Sequence, residues 1–263
     1  MKLALSSAGE ALEVDADDVG EGPALVLIHG GPGLDRRYFR PWFDALSATH
    51  RVVSWDLSQT GERSVSAWSR QLFLVMDALS IQTAHVLGHS FGVTVAAAAA
   101  LDQPSRVRSL VLVSPPGLGS NQSQLAHVLS RGTRQQIAKF LGPVATTQSD
   151  FDEHWRTMLP LYFADAGSPH IPGLAAMSVD FEVFKDGVAS LEEMNLATKL
   201  ALIETPALVC GGAHDWLSDA EVVAGWVARM PNASKQVFTR SAHFTFMEEH
   251  PLFVSVLRAF LGP

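Results

Sequence analysis

The chain has 263 residues, enough for one large core with an elaboration, and 47% of them are hydrophobic against 17% charged. Its net charge of −8 and lack of any long basic cluster argue against a nucleic-acid partner, and the longest apolar runs fall well short of the roughly 20 residues that cross a bilayer. A single cysteine, Cys210, leaves no internal disulfide framework, and no apolar leader of adequate length follows Met1, so a cytoplasmic protein is expected.

In chain order, residues 2–5 and 11–14 read as an antiparallel hairpin at a sheet edge. Strands follow at 24–29, 51–55, 84–87, 109–113, 207–210 and 235–239, most of them rich in Val, Leu or Ile, as strands buried on both faces should be. Helices fall between them at 40–48, 67–79, 93–101, 219–228 and 251–261. Pro41 sits in a first turn, Ser66 precedes a helical run, Pro104 follows one, and Ser218 with Glu221 reads as a capping box. Alternating strands and helices predict a mainly parallel sheet covered by helices.

The pattern breaks once. From 114 to about 205 no convincing strand occurs; 123–141 and 149–159 read as helices separated by Gly142 and Pro143 and closed by Pro160, with a breaker cluster at 167–173. Residues 117–199 are therefore expected to form a helical cap insertion, with 1–116 and 200–263 making the core. The alanines at 96–100 would allow close helix packing.

Gly88, His89, Ser90, Phe91 and Gly92 spell G-x-S-x-G between a predicted strand and a predicted helix. The glycines suit a strained strand-to-helix turn that lifts the Ser90 hydroxyl above the sheet edge. That turn also places the Phe91 N–H at a helix N-terminus, where it can donate to a developing oxyanion.

His29, Gly30, Gly31, Pro32 and Gly33 close the 24–29 strand. This loop lacks the third glycine of a dinucleotide fingerprint, which Arg36 replaces, and has no P-loop lysine. A strand ending in HGGPG, followed about 60 residues later by G-x-S-x-G, resembles the α/β-hydrolase family and, within it, the prolyl aminopeptidase-like branch. The resemblance implies an α/β-hydrolase fold, a mostly parallel central sheet flanked by helices with a helical cap. It implies Gly31 N–H as the second oxyanion donor beside Phe91 N–H. It also implies the triad order serine, acid, histidine: Asp215 follows the 207–210 strand in Gly211, Gly212, Ala213, His214, Asp215, and His243 follows the 235–239 strand.

The chemistry needs that set because a serine hydroxyl is a weak nucleophile until an imidazole takes its proton, and a carboxylate must fix the imidazole tautomer. Asp219 and Glu221 compete for the acid and His250 for the base, but all three read better as helix-start residues. His85 and His89 would lie about 13 Å apart on an extended strand, too far to chelate one ion, and no metal or cofactor is expected. Cys210 reads as a buried packing thiol, and Trp55 and Trp216 as core residues or pocket walls.

The segment 56–63 and the elbow residues His89 and Phe91 differ from the DQRGxGxS and GGSWG patterns of prolyl aminopeptidases. In that branch, cap acids bind a substrate amine; Asp150, Asp152, Glu153, Asp165, Asp180 and Glu182 are available here, as solvated helix residues or as such a site. The expected activity is hydrolysis of a small ester or amide through an acyl-enzyme at Ser90, proline iminopeptidase-like, with carboxylesterase or lactonase as alternatives on the same residues. Partners are then a small-molecule or short-peptide substrate, with no nucleic acid and no membrane; the oligomeric state has no signature in the sequence. A non-catalytic hydrolase-fold binding protein, or a cofactor-free lyase or oxygenase using only the histidine, are the readings of other classes.

Overall fold

A computed structural model describes residues 1–7, 10–118, 122–143 and 145–262. Eight strands form one sheet in the order β1-β2-β4-β3-β5-β6-β7-β8. They are β1 (Lys2–Ser7), β2 (Glu10–Val19), β3 (Ala24–Ile28), β4 (Arg51–Trp55), β5 (Ala84–His89), β6 (Val107–Val113), β7 (Ala207–Gly212) and β8 (Ala233–Phe238). β1 and β2 form the expected antiparallel hairpin, but β2 is longer than predicted and also pairs antiparallel with β4; all other neighbours are parallel.

The central strands are apolar at successive positions because each face has its own core. In β3, Val26 and Ile28 join one cluster and Leu25 and Leu27 the other. β6 divides the same way, Leu110 and Leu112 against Val111 and Val113, as the two-residue strand period requires. The first layer is built on α1 (Val65–Ala78), α2 (Phe91–Asp102) and α8 (Ala220–Val227). The second is built on α10 (His250–Leu261) and the 3-10 turns Arg36–Phe39 and Asp44–Ala48. Phe91 to Ala100 of α2 are all buried, and the alanine run lets this helix lie close on β5 and β6.

Between β6 and β7 the described residues contain helices and no strand: α3 (Gln122–Arg131), α4 (Arg134–Leu141), α5 (Gln148–Met158), α6 (Ile171–Ala175) and α7 (Phe181–Met194). A short α9 (Thr245–Glu248) precedes α10.

Several boundaries differ from the sequence reading. Of the helix expected at 40–48 only Asp44–Ala48 is helical, as a 3-10 turn, with another at Arg36–Phe39 ahead of it; Arg40 between them is extended before Pro41, because a proline ring disfavours helical geometry in the residue ahead of it. The 123–141 helix breaks at Gly132, after which Thr133 and Gln136 form a capping box. Ser64, not Ser66, caps α1 by accepting the Ala67 N–H. Asp219 caps α8, accepting from Glu221 N and Val222 N, so the box expected from Ser218 does not form. Within the 167–173 breaker cluster, Pro172 lies in the first turn of the short α6.

Candidate active site

The chain passes from β3 to β4 on one side and then returns across β3 to β5, so a crevice opens beyond the strand ends at this switch. Ser90 stands there, directly between β5 and α2, at φ 54° and ψ −121°. A side chain rarely tolerates this conformation, and the neighbours enforce it. A Cβ on Gly88 would run into the Gly92 carbonyl, and one on Gly92 into the carbonyls of Ile28 and His29. The helix therefore begins two residues earlier than the sequence suggested, immediately after the serine. Among the described residues the N–H of Phe91 has no protein acceptor, and neither has that of Gly31.

Gly31 has φ 48° in a tight turn closed by Leu34 N–H donating to its carbonyl at 2.7 Å. The preceding His29 is fully buried. Its Nδ1–H donates to Gly30 O at 3.0 Å, and its Nε2 accepts Leu57 N–H at 3.0 Å, which anchors the loop to the segment after β4. Burial lowers the basicity of this imidazole and favours the neutral form that those two bonds require.

Asp215 and His243 come from the loops after β7 and β8. The buried carboxylate accepts the His243 Nδ1–H at 2.8 Å and the Leu217 N–H at 2.9 Å. Burial pushes its carboxyl up, but the adjacent His243 and these hydrogen bonds outweigh that and hold it below the usual carboxylate range. With the proton on Nδ1, the His243 Nε2 presents a lone pair. Ser90 and His243 line the same cavity, and no hydrogen bond joins Oγ to Nε2. The His243 main chain is held by residues that the sequence reading missed: its N–H donates to Tyr162 O at 3.0 Å, and its carbonyl accepts from Ser114 Oγ at 2.9 Å and His89 Nε2 at 3.1 Å. Glu248, whose carboxyl burial pushes up to about 6, accepts from Ala242 N and Ala164 N and ties the His243 loop to the segment before α6.

The cavity above Ser90 holds about 430 Å³. Phe140, Phe151, Trp155, Phe181, Trp216 and Phe244 contribute to its walls, and no Asp or Glu does among the described residues. Trp216 is thus a pocket wall, whereas Trp55 is core, fully buried with its indole N–H on Gln71 at 3.2 Å. The cap carboxylates have other partners: Asp180 caps α7, Asp165 accepts the Gly167 N–H, Glu182 pairs with Lys185, and Glu153 pairs with Lys139, which itself contributes to the cavity wall. Asp150 and Asp152 lie on α5 bonded to Thr146 and Gln148. His250 bonds the Trp42 carbonyl and His85 bonds Ser109, both away from Ser90. Cys210 is buried in β7, with its thiol pushed up to about 12 by burial. Among the described residues no cluster of three or more His, Cys, Asp or Glu is placed to hold a metal ion, and no helix is long and apolar enough to cross a membrane.

Comparison with known proteins agrees with this architecture. The putative carbamate hydrolase RutD of Azorhizobium caulinodans is 30% identical over 200 residues, covering 70% of this chain and 74% of its own. The proline iminopeptidase of Lactiplantibacillus plantarum is 25% identical, covering 90% and 91%. A crystal structure of a hydrolase from Pseudomonas aeruginosa superposes over 100% of this chain and 98% of its own, with a TM-score of 0.77 at 22% identity. A sequence model of the alpha/beta hydrolase fold matches residues 23–250, and the chain belongs to that family of hydrolases.

Proposed function

We infer that the protein hydrolyses an uncharged ester or lactone with an apolar acyl group, through an acyl-enzyme on Ser90. The observation that carries this reading is the meeting, at one end of an apolar cavity, of a strained serine, a carboxylate-oriented imidazole and two unpartnered N–H groups. In this mechanism His243 Nε2 takes the Ser90 proton as Oγ attacks the acyl carbon, and the carbonyl oxygen becomes an oxyanion between Gly31 N–H and Phe91 N–H. The tetrahedral intermediate collapses, and His243 returns the proton to the departing alkoxide. Water then repeats the sequence, releasing the acid and restoring Ser90. Asp215 holds the imidazole in the productive tautomer throughout and stabilises it when protonated.

Residues 117–199 act in this reading as a cap that shapes the acyl pocket over the core formed by 1–116 and 200–263. Its support is that α4, α5 and α7 supply cavity walls. An aminopeptidase substrate would bring an ammonium group into a cavity whose described walls carry no carboxylate, and burying that charge unpaired costs several kcal/mol, of the order of most of its binding energy. The ester reading carries no such cost. The single, deeply buried Cys210 suits a cytoplasmic setting.

Initial rates on p-nitrophenyl acetate and butyrate, against proline p-nitroanilide, test the assignment in wild type and Ser90→Ala. Ester cleavage that disappears in Ser90→Ala, with little anilide cleavage, is expected. Preferential anilide cleavage would return the aminopeptidase reading, and an active Ser90→Ala would remove the serine mechanism.

A further inference from the structure

Two side chains and three hydrogen bonds form one continuous bridge between the loop after β3 and His243. Gly30 N–H donates to Tyr38 Oη, Tyr38 Oη meets His89 Nδ1 at 2.9 Å, and His89 Nε2 meets the His243 carbonyl at 3.1 Å. The directions are forced. A carbonyl can only accept, so His89 Nε2 carries the proton; Nδ1 is then bare and must accept the Tyr38 O–H, and the tyrosine oxygen accepts the Gly30 N–H with a lone pair. Each donor in the bridge is used once, the His243 carbonyl accepts from Ser114 Oγ as well, and Tyr38, His89 and His243 are each at least 95% buried. Water is excluded from competing for these bonds, so each carries more weight than it would at the surface.

We propose that Tyr38 and His89 are positioning residues that hold the oxyanion loop, the nucleophile elbow and the base loop in one fixed arrangement. This rests on the assignment of Ser90, His243 and the Gly31 N–H. Each end of the bridge adjoins a part that the proposed mechanism uses. Tyr38 engages the Gly30 N–H, and the next amide in the chain, that of Gly31, has no protein acceptor among the described residues. His89 is the residue before Ser90, and its other nitrogen fixes the carbonyl of His243. The aromatic surroundings leave the bridge little room to move: Tyr38 stacks on Phe246 at 6.2 Å, and His89 lies 5.2 Å from Phe244 and 5.1 Å from Phe246.

The bridge also needs His89 to stay neutral, since a proton on Nδ1 would face the Tyr38 hydroxyl donor to donor. Burial first, and the neighbouring His243 second, keep the His89 imidazole neutral to well below its ordinary range. When His243 takes up the serine proton, its ring centroid 4.9 Å from His89, the charge therefore falls beside a neutral partner that cannot repel it.

Tyr38→Phe removes only the hydroxyl and frees both the Gly30 N–H and His89 Nδ1. His89→Leu removes both ring nitrogens and breaks both ends. The experiment measures kcat and KM on p-nitrophenyl butyrate, the rate of Ser90 phosphorylation by diethyl p-nitrophenyl phosphate, and the thermal midpoint, for these variants beside wild type and Ser90→Ala. Misplacing an oxyanion donor or base slows the chemical step more than it weakens binding, so Tyr38→Phe is expected to lower kcat and the phosphorylation rate by about 10- to 100-fold with KM within about threefold. The double variant Tyr38→Phe with His89→Leu is expected to be no slower than His89→Leu alone, because the two residues act as one unit.

A purely structural role would lower the thermal midpoint and leave kcat of the folded enzyme intact. Folded Tyr38→Phe with kcat within twofold of wild type overturns the bridge. Should Tyr38→Phe not fold, the same criterion applied to His89→Leu decides. An inactive Ser90→Ala beside a normal Tyr38→Phe rejects the bridge alone, whereas an active Ser90→Ala rejects the serine assignment on which it rests.

Discussion

Replacing Asp215 by asparagine tests the part of the site that depends most on a single atom. The carboxylate is fully buried and spends one oxygen on His243 Nδ1 at 2.8 Å and the other on Leu217 N–H at 2.9 Å. In Asp215→Asn the amide oxygen can keep the Leu217 bond, so the NH₂ group must face the imidazole. Two donors cannot share one hydrogen bond, and His243 is driven to the tautomer with its proton on Nε2. That nitrogen then has no lone pair for the Ser90 proton. The expected loss in kcat is about 10³- to 10⁴-fold, or about 4 to 5 kcal/mol of transition-state stabilisation, with KM little changed. Asp219→Ala is the matched control: it removes the α8 cap and should cost about 1 kcal/mol of stability without slowing the folded enzyme. Initial rates on p-nitrophenyl butyrate, with thermal melts of both variants, make the comparison. Asp215→Asn retaining more than a tenth of wild-type kcat, or Asp219→Ala falling as far as Asp215→Asn, would refute the assignment of the acid.

Gly92→Ala forces a Cβ against the Ile28 and His29 carbonyls and should cost at least about 2 to 3 kcal/mol, seen in circular dichroism as a thermal midpoint lower by about 5 to 10 °C; an unchanged melt would remove the steric argument for the elbow. The apolar cavity predicts that kcat/KM rises along a p-nitrophenyl ester series from acetate to octanoate by up to about fourfold per methylene, since each buried CH₂ contributes about 0.8 kcal/mol; a flat or falling series would contradict an apolar acyl site. Burial, with help from Arg108 and His50, lowers His85 to about 4 from its ordinary 6.5. The unfolded chain therefore binds more protons than the folded one between these values, so this group's contribution is complete above pH 6.5 and is lost as pH falls toward 4. Thermal midpoints measured from pH 7 to 4 should decline less steeply for His85→Asn than for wild type, and equal slopes would rule out this source.

The sheet was legible because its central strands are apolar on both faces, a run of Val, Leu and Ile that few other structures require. Helix ends were less so. Ser64 and Asp219 were missed as caps because Ser66 and Ser218 stand two and one residues away with equally suitable side chains, and which one caps depends on where the chain enters from β4 and β7. The G-x-S-x-G and HGGPG segments announced themselves through glycines that the backbone needs for close approach. Tyr38 and Ser114 carried no such mark: nothing at the sequence level relates them to residues 51 and 129 positions away, and only the assembled sheet brings them to His89 and the His243 carbonyl. The cap carboxylates show the converse, since a cluster that sequence offers as an amine site is used up in helix caps and surface pairs.

The most direct measurement is the intact mass of the protein after incubation with diethyl p-nitrophenyl phosphate, followed by peptide mapping, in wild type and Ser90→Ala. One diethylphosphoryl group per chain on the peptide containing Ser90, with loss of esterase activity and no adduct in Ser90→Ala, is the expected result. A wild type that takes up no adduct, or carries it on another residue, would contradict a serine hydrolase built on Ser90 and leave the binding-protein or lyase readings in its place.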